Sequence, residues 1–554
     1  MSQFKQSAIV SGIALALLSA QNAIAAPNAD ALEQRIKELE ARLAKFEKAT
    51  ARDPEILTIT TAQANPEVDK LKTKINVLER KFEVEKEFNE SNALKLPKFD
   101  TGADGFRITS QDGRHQVRIR GAVQADGRFF AEDHGGVRTA GVNNLGAGSV
   151  SGIPDQFQLK QARVWLEGKF FDNIYFKIMP DFAANNILPD AYLDYAYKSY
   201  AGLSVGKQKT PLSLERLQGD ADGMFLERAY PTYLANNRDV GIMLHGEFAK
   251  PGYKAEYGGP VDFKNFISYQ LGVFNGAGDN ASLDKSSAGT FDDKEFDGRL
   301  WSHPFQHSGH DWLEGLGLGV AGSWSRPTGL ALNKLTSAIG SNSILDYGFT
   351  KVKTATVKAG ALSSPSYLAA LTGEGDHIRI YPQAYWYAGP LGFMGEYVLS
   401  EQNLNAYSPY KTSGKAAHFK QKNSAWQAQL SYVLTGEDAT FQGVKPIRIF
   451  NPSEGTWGAL QAAVRFSDLN IDPDTFNYLD PTRNIREAKS WAVGLNWFLT
   501  QNAVVRADYE ETYFTGGDGS ITGTGTNTSG DSFKYSITDR TTEKVFATRF
   551  QLAF

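Results

Sequence analysis

The sequence predicts an all-β fold: a 16-stranded antiparallel transmembrane β-barrel preceded by a short N-terminal α-helical coiled-coil segment. Three observations predict it. Hydrophobicity alternates with period two in segment after segment past residue 105. The chain ends on an alternating strand whose last residue is Phe554. Outside the N-terminus there is no run of about 18 apolar residues, which excludes a bundle of membrane-spanning helices.

Composition narrows the class further. The 554 residues include 53 Gly and 12% aromatics, with a net charge of −4. Mean hydropathy is −0.36, a value that alternation produces even in a membrane barrel. The absence of cysteine excludes a disulfide scaffold, a thiolate zinc site and a cysteine nucleophile. The near-neutral balance lacks the basic excess of a nucleic-acid binder.

Residues 1–25 read as a secretory signal. Lys5 supplies the positive start, Ala8 to Ala20 the apolar stretch, and Ala23-Ile24-Ala25 the small-x-small cleavage form. Residues 26–97 form the predicted stem. Leu32, Ile36, Leu39, Leu43 and Phe46 repeat at alternating spacings of four and three, and the pattern resumes at Val68, Leu71, Ile75, Leu78 and Phe82. Helices over 30–48 and 67–88 follow, each with a narrow seam that one helix cannot bury alone. A helix lying on its own domain is the competing reading.

Residues 98–554 hold the barrel. The first strand shows the logic: Val117, Ile119, Val123, Ala125 and Phe129 share one face, and Arg118, Arg120, Gln124, Asp126 and Arg128 the other. Strands are expected near 116–130, 157–170, 173–183, 189–198, 202–209, 239–248, 264–275, 294–304, 315–325, 377–388, 391–402, 423–435, 457–468, 488–499, 503–514 and 543–554. A soluble sandwich would alternate equally well. Loop asymmetry favours the barrel: short turns at Phe171-Asp172, Gly389-Pro390 and Gln501-Asn502 alternate with long connections at 131–156, 210–238, 326–376 and 515–542. The stretch 436–456 is long on the turn side. In the last strand Phe546, Phe550, Leu552 and Phe554 share one face.

Several segments resemble the phosphate-selective porins O and P: QARVWLEGKFFDNIYFKIMPDF (161–182), DAYLDY (190–195), VGKQKTPLSLERLQ (205–218), FLERAYPTYLANNRDVGIMLHG (225–246), YVLTGED (432–438) and VRFSDLNID (464–472). The resemblance runs from about residue 100 to the end. It implies a bacterial outer-membrane porin, a homotrimer in contact with outer-membrane lipid, and passage of small anions such as phosphate or polyphosphate. It implies recognition of Phe554 by the barrel assembly machinery, and no cofactor, metal or catalytic residue. The heptad stem departs from the best-known members and would sit in the periplasm.

By strand parity Arg118, Arg120, Arg128, Arg163, Lys177, Arg379, Arg465, Arg506 and Arg549 face the lumen, together with Asp181. Arginine suits phosphate because its planar fork donates to two oxygens at once. The competing reading pairs these cations with Asp126, Asp181, Asp190, Asp194, Glu396, Asp508 or Glu510, which would leave a nearly neutral wall. Past residue 97 acidic residues slightly outnumber basic ones, so anion preference must come from placement. In porins, which these segments resemble, the third loop folds into the channel, and the connection 210–238 after the fifth strand matches that position, with Arg216, Arg228 and Arg238 in or beside it. The resemblance puts Lys207 and Lys209 at the constriction, although both share parity with the outward-facing Leu203 and Val205.

Other readings find less support. His303, His307 and His310 have ligand-like spacing but no helical carboxylate partner. Gly516 to Gly525 lacks the lysine and strand-to-helix context of a phosphate loop. There is no serine elbow and no HExxH. The alternatives to an anion channel are a general or weakly cation-selective porin, an envelope-tethering barrel acting through the stem, and a periplasmic β-rich enzyme or binding protein.

Overall fold

In the computed structural model the described residues are 41, 44–45, 66–93, 97–131, 154–184, 187–255, 257–261, 263–276, 293–339, 343–348, 352–353, 366–367, 371–406, 417–481, 483–518, 524–526, 532–534 and 538–554. The signal segment and most of the helix expected over 30–48 lie outside them. Residues 1–98 and 99–554 are separate units. In the first, helix α1 spans Pro66–Ala93, beginning on a proline whose missing N–H costs nothing at a first turn. Ile75 is buried and Leu78 and Phe82 half-buried, while Val77 and Val84 are exposed; the side chains of Val68 and Leu71 lie outside the described residues.

The second unit is a closed antiparallel barrel of 16 strands. In chain order they are β1 (Gln116–Ala131), β2 (Gln156–Phe170), β3 (Ile174–Met179), β4 (Asp190–Lys198), β5 (Ala201–Lys209), β6 (Arg238–Phe248), β7 (Ile267–Phe274), β8 (Glu295–Ser302), β9 (Leu316–Ser325), β10 (Thr372–Ala388), β11 (Leu391–Ala406), β12 (Ala417–Val433), β13 (Ala459–Asn470), β14 (Glu487–Phe498), β15 (Ala503–Thr515) and β16 (Glu543–Ala553). Each pairs with its sequence neighbour, and β16 returns to β1, from Ala553 opposite Ala122 to Lys544 opposite Ala131. Closure gives every strand a paired neighbour on each side, the arrangement by which a sheet spans a membrane. Outward residues such as Val123, Leu166, Leu244, Leu300, Leu430 and Leu495 stay exposed, as a lipid-facing belt must.

A hairpin, Lys98–Gly102 and Gly105–Thr109, adds to the lower part of β1, with Phe106 opposite Ile119. It fills the space below the end of β16, where Phe554 and Gly121 exchange backbone hydrogen bonds of 2.7 and 2.8 Å. The Phe554 ring lies over Gly121, where a Cβ would come within 2.6 Å of it, and meets Phe106 edge-on at 6.3 Å.

Several expected features change. Strand β3 stops at Met179 because Pro180 has no N–H for the ladder; beyond it only an Arg163–Asp181 bridge remains. Strands β10, β11 and β12 run further than expected toward the long-loop rim, with an irregularity between Gly373 and His377. Turn-rim connections are less uniformly short than the asymmetry implied: besides 434–458, segments 249–266 and 303–315 are long. The tight three-residue β2–β3 turn, 171–173, places Phe171 and Asp172 at φ of 51° and 70°.

Candidate channel constriction

The connection between β5 and β6, residues 210–237 and hereafter loop 3, folds into the barrel. Its one-turn helix α2 (Leu214–Leu217) is fixed at its start by Glu396 of β11, which accepts from Ser213 Oγ at 3.0 Å and Leu214 N at 2.8 Å. Its 3₁₀ turn, Tyr230–Leu234, packs beneath the inner faces of β10 to β13. Leu212, Tyr230, Tyr381, Val398 and Leu404 are buried together there with Leu345 from the 326–371 connection. That second loop also turns inward: Ser337 Oγ donates to Glu543 at 3.0 Å, and Tyr347 Oη to Gln421 at 2.9 Å.

These loops decide what the wall cations can do. Arg379, Arg465, Arg506 and Arg549 face the lumen as parity requires, but they are buried and donate to loop 3 carbonyls. The acceptors are Leu234 O at 3.3 Å, Glu227 O at 2.6 Å, Ala221 O at 2.5 Å and Leu226 O at 2.8 Å respectively. Three also hold carboxylates: Arg379 meets Glu295 at 2.5 Å, Arg465 meets Glu510 at 2.8 Å, and Arg549 grips Asp126 at 2.7 and 2.8 Å. Buried carbonyls need donors, so these arginines hold loop 3 in place rather than line a water path.

The adjoining wall, which meets β16 at β1, is different. Along β1 to β3, Arg120 is 40% exposed, Lys160 32%, Arg118 27% and Lys177 24%, against 18% for Glu167, 14% for Glu227 and 11% for Asp220. Arg118 donates to Glu167 at 2.8 Å, and Arg120 approaches the same carboxylate at 3.6 Å while lying over Trp165. Arg163 bridges Asp181 at 2.7 Å and Asp220 of loop 3, and Arg228 shares Asp220. Lys177 and Arg238 share Asp190 at 3.2 and 2.6 Å. Arg128, buried, reaches Glu227, Asp126 at 3.3 Å and Ile339 O at 2.5 Å. Arg216 turns back to Thr232 O at 2.8 Å. Of the pairings weighed from the sequence, those with Asp126, Asp181, Asp190 and Glu510 form; Asp194 instead meets His245 at 2.9 Å, and Asp508 accepts from Leu226 N at 2.6 Å.

Loop 3 carboxylates feel this field. Burial pushes Asp220 up, but Arg228 and Arg163 outweigh it and hold the carboxyl well below its usual range. Glu227 is likewise lowered against burial by Lys160 and Arg128. Burial wins at Asp222, raising it to about 6 despite Arg506 and Lys209.

Lys209 reaches loop 3 at the end of β5, just past a local distortion at Gly206 that leaves the pairing with β4 and β6 in register. Gly206 sits at φ +131°, where a Cβ would meet Ala191 O at 2.3 Å. Beyond it both Lys207 and Gln208 are buried. Lys209 Nζ donates to Leu217 O and Gln218 O, each at 3.1 Å, at the end of α2. Lys160 was missed by parity because it is the extra residue of a bulge. Gln124 opposes Gln161 while Ala125 opposes Leu159, which turns both Lys160 and Gln161 inward. The polar cluster around residues 156–161 was its only sequence signal.

The histidines do not converge. His303 is buried against Tyr385 Oη at 2.6 Å and Asn265 O at 2.9 Å, whereas His307 stacks on Tyr253 at 3.9 Å between ring centroids. Among the described residues no group of three or more His, Asp or Glu is placed to hold a metal. The Gly516–Gly525 stretch lies partly outside the described residues.

The family profile for phosphate-selective porin O and P matches residues 135–512, more than half of the chain. The chain belongs to that family. This porin is therefore a channel-forming outer-membrane barrel, and family and fold point to a channel rather than an enzyme. Among solved structures it is similar to the outer-membrane protein OmpT of Vibrio cholerae in its trimer form, at 10% identity and TM-score 0.43, covering 79% of this chain and 99% of that one. It is also similar to Salmonella typhi OmpF in complex with daunomycin, at 10% identity and TM-score 0.39, covering 80% and 98%. A third is Pseudomonas putida OprB, at 8% identity and TM-score 0.38, covering 80% and 95%. No curated protein matches the chain.

Proposed function

We propose that this porin passes small anions by passive diffusion, with phosphate-like solutes favoured. The observation that carries the reading is the separation of accessible from buried charge. Arg118, Arg120, Lys160 and Lys177 remain partly open on the β1–β3 wall, while Asp239, Glu295, Asp297, Glu396, Asp508 and Glu510 are buried on the rest. A chain that is acidic overall can thus present a basic passage. Each accessible cation in a confined pore lowers the barrier for an anion and raises it for a cation. The cations are already partly compensated, so binding stays weak enough for release.

The same proposal includes a homotrimer whose stem lies in the periplasm. Strand β3 has six residues, fewer than the roughly 9–11 that cross a hydrocarbon core. The low wall at β3–β5, with Ile178, Leu193 and Val205 outward, suits a neighbouring subunit better than lipid. The α1 seam would join stems, and Phe554 would serve assembly. Removing residues 26–97 should reduce oligomer stability in detergent.

The test of selectivity is phosphate block of chloride current through single channels. Phosphate should reduce the current saturably, and Arg118→Gln with Arg120→Gln should weaken that block. Phosphate without effect on the wild-type current would end the phosphate assignment and leave the porin standing.

A further inference from the structure

Toward the long-loop rim, a recess of about 290 Å³ lies between the 3₁₀ turn of loop 3 and the inner faces of β8 to β12. Its chemistry is unlike that of the basic wall. The charges that border it are balanced: Arg379 holds Glu295 at 2.5 Å, Asn236 Nδ2 donates to both oxygens of the same carboxylate at 3.1 and 3.2 Å, and Asp293 and Lys294 are one of each sign. The remaining polar lining is neutral. His377 Nε2 and Ser400 Oγ lie 3.0 Å apart, and the amides of Gln402 and Asn423 complete the row along β10 to β12. Facing them are Leu332, Tyr233 and Tyr347.

An ion entering here would lose water and find no net counter-charge. A neutral molecule with hydroxyls around a ring would fare better. Its hydroxyls both donate and accept, as the amides and the His–Ser pair do, and its C–H faces would lie on the leucine and tyrosines. The volume is at the lower end of the range for small-molecule sites, which limits the occupant to about one sugar ring. We propose that the recess is a binding site for a neutral polyhydroxylated ring solute, of the monosaccharide class, separate from the anion path. Leu234, Ala235 and Asn236 of loop 3 form part of its lining, so occupancy should register in the current.

The test uses the full-length protein in planar bilayers in potassium chloride, with D-glucose titrated on either side. The expected result is a saturable fall in single-channel current. Gln402→Leu and Asn423→Leu should each weaken glucose binding by about tenfold, the size of one lost amide hydrogen bond. Reversal potential and phosphate block should stay at wild-type values in both. If either leucine variant fails to form channels, Gln402→Met keeps the length of the side chain without its amide and should show the same loss. A fall in current that is merely linear in glucose, or saturable block unaltered in the variants, overturns the proposal. So does phosphate displacing glucose competitively, which would make the recess part of the anion path. Reversal potential reads the basic wall and glucose block reads the recess, so either can fail without the other.

Discussion

The wall from β1 to β3 and the wall from β10 to β16 are built from the same alternating strands, and both turn arginines inward. On the first, Arg118 and Arg120 share one carboxylate and stay partly open, while Arg128 further along β1 is buried against Glu227 of loop 3. On the second, Arg465 and Arg549 are buried, each holding a carboxylate and a loop 3 carbonyl. The difference lies in what covers the strand. A lumen-facing charge left open acts on a passing ion; the same charge under a folded loop becomes part of the packing. Under the proposed function, selectivity would depend on loop 3 as much as on the wall.

The sharpest way to break this contrast is on the covered side. Arg465→Ala should strand Glu510 and Glu215 without their buried partner and cost about 3–5 kcal/mol. The folded barrel should then convert to its unfolded form at a lower temperature on a heat-modifiability gel; an unchanged transition would mean that Arg465 does not hold the loop. Next in size is Gly206→Ala, where φ +131° and a Cβ 2.3 Å from Ala191 O make the side chain strained. A cost of about 1–3 kcal/mol is expected, again read as a lower transition.

On the open side the pattern should invert. Arg118→Gln together with Arg120→Gln should cost only about 1 kcal/mol while anion preference falls. A large stability loss there would erase the distinction between the two walls.

Much of this was legible in the sequence. All the barrel strands lie where period two put them, because each must alternate between lipid and lumen. The pairings of Arg163 with Asp181, Lys177 with Asp190 and Arg549 with Asp126 follow from the same parity. What could not be read has physical reasons. Arg506 and Arg549 donate to backbone carbonyls of Ala221 and Leu226, groups that every residue carries and no sequence distinguishes. Leu335, Ile344 and Leu345 are buried although their loop has no period to announce it. Lys160 was hidden by a one-residue bulge that reverses parity.

The smallest expected effect sharpens the contrast through pH. With its carboxyl raised to about 6, Asp222 is mostly charged at pH 7 and neutral at pH 5. A raised acid binds its proton more tightly when folded, so lowering pH through 6 adds a little stability and removes one negative charge from loop 3. Anion preference should rise modestly over that interval. Asp222→Asn should show the higher preference at both pH values and flatten the dependence; an equal pH response in that variant would assign the titration elsewhere.

The most direct measurement of the central claim is the zero-current potential of the wild-type channel in a potassium chloride gradient at pH 7. If the open wall sets selectivity, its sign must correspond to chloride permeating faster than potassium, and Arg118→Gln with Arg120→Gln must move it toward potassium. A wild-type potential that already favours potassium would contradict the account.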